Sequence, residues 1–169
     1  QAQAIQALEG EGRVDAALPI LSTSQALAGQ PAQIYGARDH ATYRDNWRLL
    51  RATPDVWQAL ARGEGVLINE QLYRRAGLDL GALVPLGAGL RLPVLGIYGD
   101  YGNPIGQVIL TEPLFRQQFP AVTALRFGLR LEPAKIPALR ASLQADLGLA
   151  SPAIVDQAAI KALSLAVFE

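Results

Sequence analysis

The residues most suggestive of chemistry lie in the segment GIYGDYGNPIGQVILTE, 96–112, in which glycines alternate with two tyrosines and an aspartate. A phosphate-binding P-loop would need a lysine and a hydroxyl residue directly after its last glycine, but glutamine and valine follow here. A dinucleotide-binding loop has the spacing GxGxxG and opens a helix that faces the pyrophosphate, whereas a β-rich run follows here. We therefore interpret the segment as a connection between two strands, with a turn at Asn103-Pro104.

Nucleophilic catalysis would have to use His40, the single histidine of the chain, with Ser22 or Ser24 as the nucleophile. The GxSxG elbow that exposes a catalytic serine is absent, and a triad needs serine, histidine and carboxylate to converge in space. His40 follows Asp39 in a polar stretch, where a solvated histidine is the ordinary interpretation. A periplasmic hydrolase that uses Ser22 with His40, or a pair of carboxylates, remains an alternative.

Metal and nucleic-acid chemistry receive little support from the composition. One histidine and no cysteine rule out a zinc site built from those ligands. The closest acidic residues, Glu64, Glu70 and Asp79, fall on separate predicted elements, so we predict no catalytic residue, no metal and no cofactor. Basic and acidic residues number 15 each, and nucleic-acid binding would normally need a basic excess.

The elements that must position these residues alternate between helical and strand patterns, which predicts an α+β fold. Helix signals include Thr53 as N-cap with Gly63 as stop, and a start near Asn69 with a stop at Gly77. Predicted strands lie near 13–24, 31–37 and 82–86. Two further strands flank the glycine-rich segment, and others lie in TALRFGLRLEP and in SPAIVD. Predicted helices lie in QAQAIQALEG, after Thr111, in KIPALRASLQADLGL and over 156–168.

This order suggests two lobes, with the middle of the chain inserted into a lobe built from both ends. We predict an α/β lobe from 1–35 and 121–169 and an inserted β-rich lobe from 36–120. We expect Trp57 and the helix over 156–168 to be buried or to bridge the lobes.

Three stretches together resemble an extracytoplasmic domain of an FtsX/MacB-like ABC transporter permease: WQALARGEGVLINEQLYRRAGLDLGALVPL, LPVLGIYGDYGNPIGQVILTE and IVDQAAIKALSLAVFE. The GDYGNP stretch is most similar to the second such domain in the permease branch that has two. The resemblance covers nearly the whole chain in the expected order, and its specificity lies in the combination. It implies a membrane-proximal lobe from the chain ends, and a closing helix that continues into a transmembrane helix. The absence of methionine and of a signal peptide is expected of such a fragment.

The resemblance also implies a non-enzymatic function on the periplasmic face of the bacterial inner membrane. A separate cytoplasmic ATPase would drive the missing membrane helices, and the outer domain would relay that movement to a lipid, lipoprotein, peptide or enzyme. Neither the cargo nor the direction of transport follows from the residues. A stand-alone module that binds a small molecule or lipid remains a second alternative.

The glycine-rich segment supplies the candidate site for a partner. We expect Asp100, Tyr101 and Asn103 to lie on an exposed corner of the β-rich lobe, and Tyr98 to join them in contacting a partner.

Overall fold

The computed structural model describes residues 2–12, 14–38, 44, 47–123 and 126–146. Its helices are α1 (Ala2–Gly10), α2 (Val56–Ala61), α3 (Glu70–Ala76), α4 (Glu112–Gln118) and α5 (Ile136–Asp146), with a short 3-10 helix at Pro133–Lys135. Its strands are β1 (Ala16–Leu27), β2 (Gln30–Ala37), β3 (Leu49–Ala52), β4 (Val66–Asn69), β5 (Leu83–Gly87), β6 (Leu90–Tyr98), β7 (Gly106–Thr111) and β8 (Arg126–Arg130). The predicted α+β class is confirmed.

The chain divides into two compact units, one formed by 1–17 with 129–169 and the other by 18–128. The second unit includes more of the chain than the inserted lobe that the sequence predicts over 36–120. The difference arises because β1 pairs antiparallel with β2 from Leu21 opposite Gly36 to Leu27 opposite Gln30, and β2 pairs in turn with β7. Hydrogen bonding thus places both strands with the middle of the chain.

A mixed sheet organises the unit formed by 18–128. Its strand order is β3-β6-β4-β7-β2-β1, and β5 forms a hairpin with β6. Two pairs are parallel, β2 with β7 and β4 with β6, and the other pairs are antiparallel. Strands β6 and β7, which follow each other along the chain, are therefore not neighbours in the sheet: β4 lies between them.

Each face of this sheet has its own apolar cluster, because successive side chains of a strand point to opposite faces. One cluster contains alternate residues such as Ile34, Val108 and Leu110, and packs against Leu72 of α3 and Phe115 of α4. The other cluster includes these buried residues: Val56, Ala59, Leu60, Leu67, Leu95, Tyr98 and Ile109.

Two tryptophans border the second cluster. Trp57 of α2 is half-buried and packs edge-on against Trp47, with ring centroids 6.3 Å apart. Trp57 is thus partly rather than fully buried. The helix predicted over 156–168, like the predicted strand SPAIVD, lies outside the described residues.

The other unit has a small core of its own. Leu8 of α1 and Val14 pack with Leu139 and Leu143 of α5, which are four residues apart and so share one helix face. In the part of the chain that the structure describes, no helix combines the length and the apolar character needed to cross a membrane.

Helix ends follow the sequence signals at one helix and depart from them at another. The predicted start near Asn69 and stop at Gly77 are confirmed: Asn69 caps α3, and Gly77 ends it in the left-handed conformation. Thr53 is not the N-cap of α2, so that prediction is wrong. Asp55 holds that position, because the Thr53 carbonyl first closes a turn by accepting the N–H of Val56.

Gly65, just before β4, allows a close approach that any larger residue would block. An added Cβ would lie 2.4 Å from Cγ of Leu95 and 2.6 Å from the carbonyl oxygen of Pro93. We expect Gly65→Ala to lower the free energy of unfolding by about 1–3 kcal/mol, measured by urea denaturation. Gly99→Ala is the matched control, since its Cβ would meet Leu50 at an ordinary 3.6 Å. Equal urea midpoints for the two variants would contradict the close approach.

Candidate functional site

The segment 99–105 crosses the end of β4, because the strands that it joins lie on either side of β4. Since β4 and β6 run parallel, their carboxyl ends meet at the same edge of the sheet. Asn69 closes β4 at this edge, opposite Tyr98 of β6. The predicted strand connection is confirmed, and its form is a crossover above Asn69.

Asn69 is fully buried and forms four hydrogen bonds beneath the crossover. Its Oδ1 accepts the backbone N–H of Leu72 at 3.1 Å and of Gln107 at 2.9 Å. Its Nδ2 donates to Oδ2 of Asp100 at 2.9 Å and to the carbonyl oxygen of Ile105 at 2.8 Å. An amide side chain has two donors and one acceptor oxygen with two lone pairs, so this asparagine is fully satisfied. It joins α3, β7 and both ends of the crossover.

The crossover has further hydrogen bonds of its own. The Nδ2 of Asn103 donates to Oδ2 of Asp100 at 2.9 Å, and its Oδ1 accepts the N–H of Ile105 at 3.0 Å. From outside, Nη1 of Arg75 donates to the carbonyl oxygen of Pro104 at 2.9 Å. The backbone of this loop is therefore held from below by Asn69, from within by Asn103 and from the side by α3.

The four candidate contact residues occupy different environments. Tyr101 extends fully into solvent, with a relative exposure of 109%. Asp100 and Asn103 are half-buried. Oδ2 of Asp100 accepts bonds from Asn69 and Asn103, and its buried Oδ1 has no hydrogen-bond partner among the described residues. Tyr98 is 8% exposed, so its side chain does not lie on the corner where we placed it.

Tyr98 belongs to the interior beneath the corner. Its ring packs against Trp47 at a centroid distance of 5.2 Å, and its hydroxyl donates to Oε1 of Gln107 at 2.6 Å. Burial raises the pKa of Tyr98 well above its ordinary value, and the charge of Asp100 and the neighbouring Tyr35 raise it further. Its environment is that of a structural residue.

Sequence reasoning placed the start of a helix near Asn69 and missed the central place of this residue in the site. A signal was present, because an asparagine directly after the apolar run VLI falls where a strand ends inside the core. A buried amide in such a position needs several hydrogen-bond partners. Three of those partners, in Asp100, Ile105 and Gln107, are 31–38 residues away in the chain, so local pattern could not name them.

The other candidate groups are not brought together. Ser22 and Ser24 are exposed on β1, and His40 lies outside the described residues. The three acidic residues each pair with a different arginine: Glu64 with Arg62 at 2.8 Å, Asp79 with Arg51 at 3.0 Å, and Glu70 with Arg74. Among the described residues, no three His or acidic side chains could hold a metal ion together.

A small pocket lies on the tryptophan side of the sheet and is mostly apolar. It is lined by Ala37, Arg38, Trp47, Trp57, Leu60, Ala61 and Thr111. Its cavity volume of about 20 Å³ has room for about one water molecule, which does not favour an organic ligand.

No family model matches the sequence, and no curated protein matches it. Solved structures do match the fold. The chain superposes on the extracellular domain of the noncanonic ABC-type transporter YknZ from Gram-positive bacteria with a TM-score of 0.64 and 12% identity, over 88% of this chain and 84% of that one. It superposes on the periplasmic region of MacB from Actinobacillus actinomycetemcomitans with a TM-score of 0.60 and 14% identity, over 88% of this chain and 74% of that one.

These superpositions establish the fold. The chain has the architecture of the extracytoplasmic domains of MacB-like ABC transporters, which is the fold that the sequence resemblance implies. That prediction is confirmed at the level of fold.

Loss of the Asn69 amide should loosen the crossover. Asn69→Ala leaves the N–H groups of Leu72 and Gln107 and the carbonyl of Ile105 without this partner. A fully buried group left unpaired costs about 1–3 kcal/mol, and of these three bonds the one to Leu72 is buried. We expect a clear drop in the free energy of unfolding and faster amide hydrogen exchange at Gln107. Asn103→Ala is the control, because it leaves the bonds of Asn69 in place and should cost less. Equal effects of the two variants would contradict the central role of Asn69.

The raised pKa of Tyr98 should appear as a loss of stability in alkali. Because the folded state keeps the phenol proton above the ordinary pKa of about 10, its stabilising contribution is complete below that pH and falls above it. We expect the free energy of unfolding to decline above pH 10 by up to about 1.4 kcal/mol per pH unit from this group. Tyr98→Phe should flatten that decline, whereas Tyr101→Phe should leave it unchanged. An unaltered slope in Tyr98→Phe would refute the assignment.

Proposed function

We propose that this chain is the extracytoplasmic domain of an ABC transporter permease, on the periplasmic face of the bacterial inner membrane. The fold carries the proposal, because it matches the extracellular domain of one ABC-type transporter and the periplasmic region of another over most of this chain. The segments that resemble this permease class in sequence support the same conclusion independently. The domain would act through a separate cytoplasmic ATPase, to which membrane helices of the parent protein connect it.

The proposed task is mechanical: the domain relays ATP-driven movement of the membrane helices to a cargo or partner in the cell envelope. A relay needs a body that does not deform, since close-packed interiors transmit strain. The buried clusters on both faces of the sheet in the unit 18–128 support such a body. At Gly65 and Gly96 the packing leaves no space for a Cβ without displacing a neighbour.

Single cysteines introduced into the full-length permease test the location, since this chain contains no cysteine of its own. Leu83→Cys, at a side chain that is 56% exposed, should react with a membrane-impermeant maleimide in intact cells whose outer barrier has been made permeable. Ile34→Cys, at a fully buried position, is the matched control and should react after unfolding. Labelling of Leu83→Cys that requires lysis of the inner membrane would refute the proposed location.

Pairs of introduced cysteines test the relay in the permease reconstituted with its ATPase. Spin labels at exposed positions 7 and 83 sample the two units, and labels at 24 and 83 sample the unit 18–128 alone. We expect trapping with ATP and vanadate to shift the first distance distribution and leave the second unchanged. If the distance distribution between positions 7 and 83 is identical with and without nucleotide, the relay is contradicted, whereas the proposed location is unaffected.

A further inference from the structure

The chain passes between its two compact units inside strands rather than in loops. One unit is formed by 1–17 with 129–169 and the other by 18–128. The first crossing lies within β1, which runs from Ala16 to Leu27, and the second lies within β8, which runs from Arg126 to Arg130. Since β8 follows β1 in the order of the strands, the two crossings belong to neighbouring strands.

The sheet narrows to two strands where these crossings occur. The ladder between β1 and β2 begins with Leu21 opposite Gly36, and β2 ends at Ala37, so residues 16–19 of β1 extend past the end of β2. Among the described strands, β8 is the one that remains beside them. Two-stranded ribbons twist more than wider sheets and are marginally stable by themselves. This part of the sheet therefore resists bending less than the part that contains β2, β7, β4 and β6.

Each crossing strand also carries a residue that weakens strand pairing close to the boundary. Pro19 of β1 has no backbone N–H to donate to a neighbouring strand. Gly128, at the centre of β8, is the last residue of the unit 18–128 and has no side chain to pack on either face of the sheet. A glycine in the interior of a strand weakens it and often marks a bend. Both strands are thus weakened at the same boundary.

Each unit has apolar clusters of its own. The two clusters on the faces of the sheet, around Ile34 and around Leu60, consist of residues from 18–128. The cluster around Leu139 consists of residues from the other unit. Relative movement is the default expectation for bodies that have separate cores, and a few residues at their connections absorb it.

We propose that Pro19 and Gly128 form a hinge about which the two units rotate when the transporter uses ATP. The ribbon of β1 and β8 bends and twists there, while the interior of each unit keeps its packing. An extended strand already spans about 3.3 Å per residue, which is close to the limit of a polypeptide, so the ribbon transmits a pull without lengthening. The inference rests on the proposed function and deepens it, because it names the residues through which the relayed movement passes.

The first test measures distances between pairs of spin labels on introduced cysteines, in the full-length permease with its ATPase. Positions 7 and 83 lie in different units, whereas 7 with 145 and 24 with 83 each lie within one unit, and all four positions are exposed. Without nucleotide, we expect a broader distance distribution for 7 with 83 than for either pair within a unit. An equally narrow distribution would refute the hinge. An equally broad one for 7 with 145 would also refute it, because α1 would then move by itself.

Two substitutions should stiffen the ribbon in independent ways. Gly128→Val adds a β-branched side chain that favours an extended strand, and Pro19→Val restores an N–H that can pair with a neighbouring strand. We expect each variant to narrow the distribution for 7 with 83 toward that of the pairs within a unit, and to reduce its shift on trapping with ATP and vanadate. Ala26→Val is the matched control, because it adds the same side chain at an exposed position of β1 inside the ladder with β2, and it should change neither quantity.

A distribution for 7 with 83 that keeps its width in both variants would overturn the hinge. Melting temperatures check that the variants are folded, and Gly128→Ala or Pro19→Ala replaces a variant that is not. The hinge and the proposed function can fail separately. The width without nucleotide tests the hinge, the shift with nucleotide tests the relay, and the labelling of Leu83→Cys tests the location.

Discussion

The buried amide of Asn69 is the interaction on which the rest of this architecture depends. The sheet order places β4 between β6 and β7, so the chain must cross the end of β4, where the carbonyl of Ile105 and the N–H of Gln107 need partners. One side chain resolves this, because it has two donors and an acceptor that serves two N–H groups. A buried polar group of this kind stabilises a structure when all its bonds are made and is costly when any is missing.

Hydrogen-bonded residues lie beneath the crossover, and an exposed residue lies at its tip. Tyr98 and Gln107 are joined by a hydrogen bond below the loop, and Asn69 binds the N–H of Gln107 from the next strand. Above them, Tyr101 is free of any packing in the domain. The loop on either side of Tyr101 is held by hydrogen bonds at Asp100, Pro104 and Ile105, while the tyrosine side chain itself is exposed.

Local signals predicted the parts of this structure that are locally determined. The α+β class, the helix limits at Asn69 and Gly77 and the strands around the glycines all follow from residue type and spacing, and the family resemblance implied the overall fold. The crossover above β4 was not predictable from pattern, since strand order depends on pairing between distant residues. For the same reason Tyr98 and Tyr101, three positions apart in one glycine-rich run, could not be assigned to interior and surface. Thr53 shows that a good capping residue loses its position when a turn precedes the helix.

The parallel pairing of β2 with β7 also determines the order in which this domain can form. Ala32 meets Gly106 and Ala37 meets Thr111, so β2 has one neighbour, β1, until the chain through β7 has been made. Contacts between such distant residues are slow to form, because the chain loses the entropy of loop closure before the strand pairing contributes any stabilisation. A domain delivered across a membrane from its N-terminus would therefore emerge with an unpaired strand edge. Such edges invite aggregation, and β2 carries that risk until residues 106–111 are in place beside it.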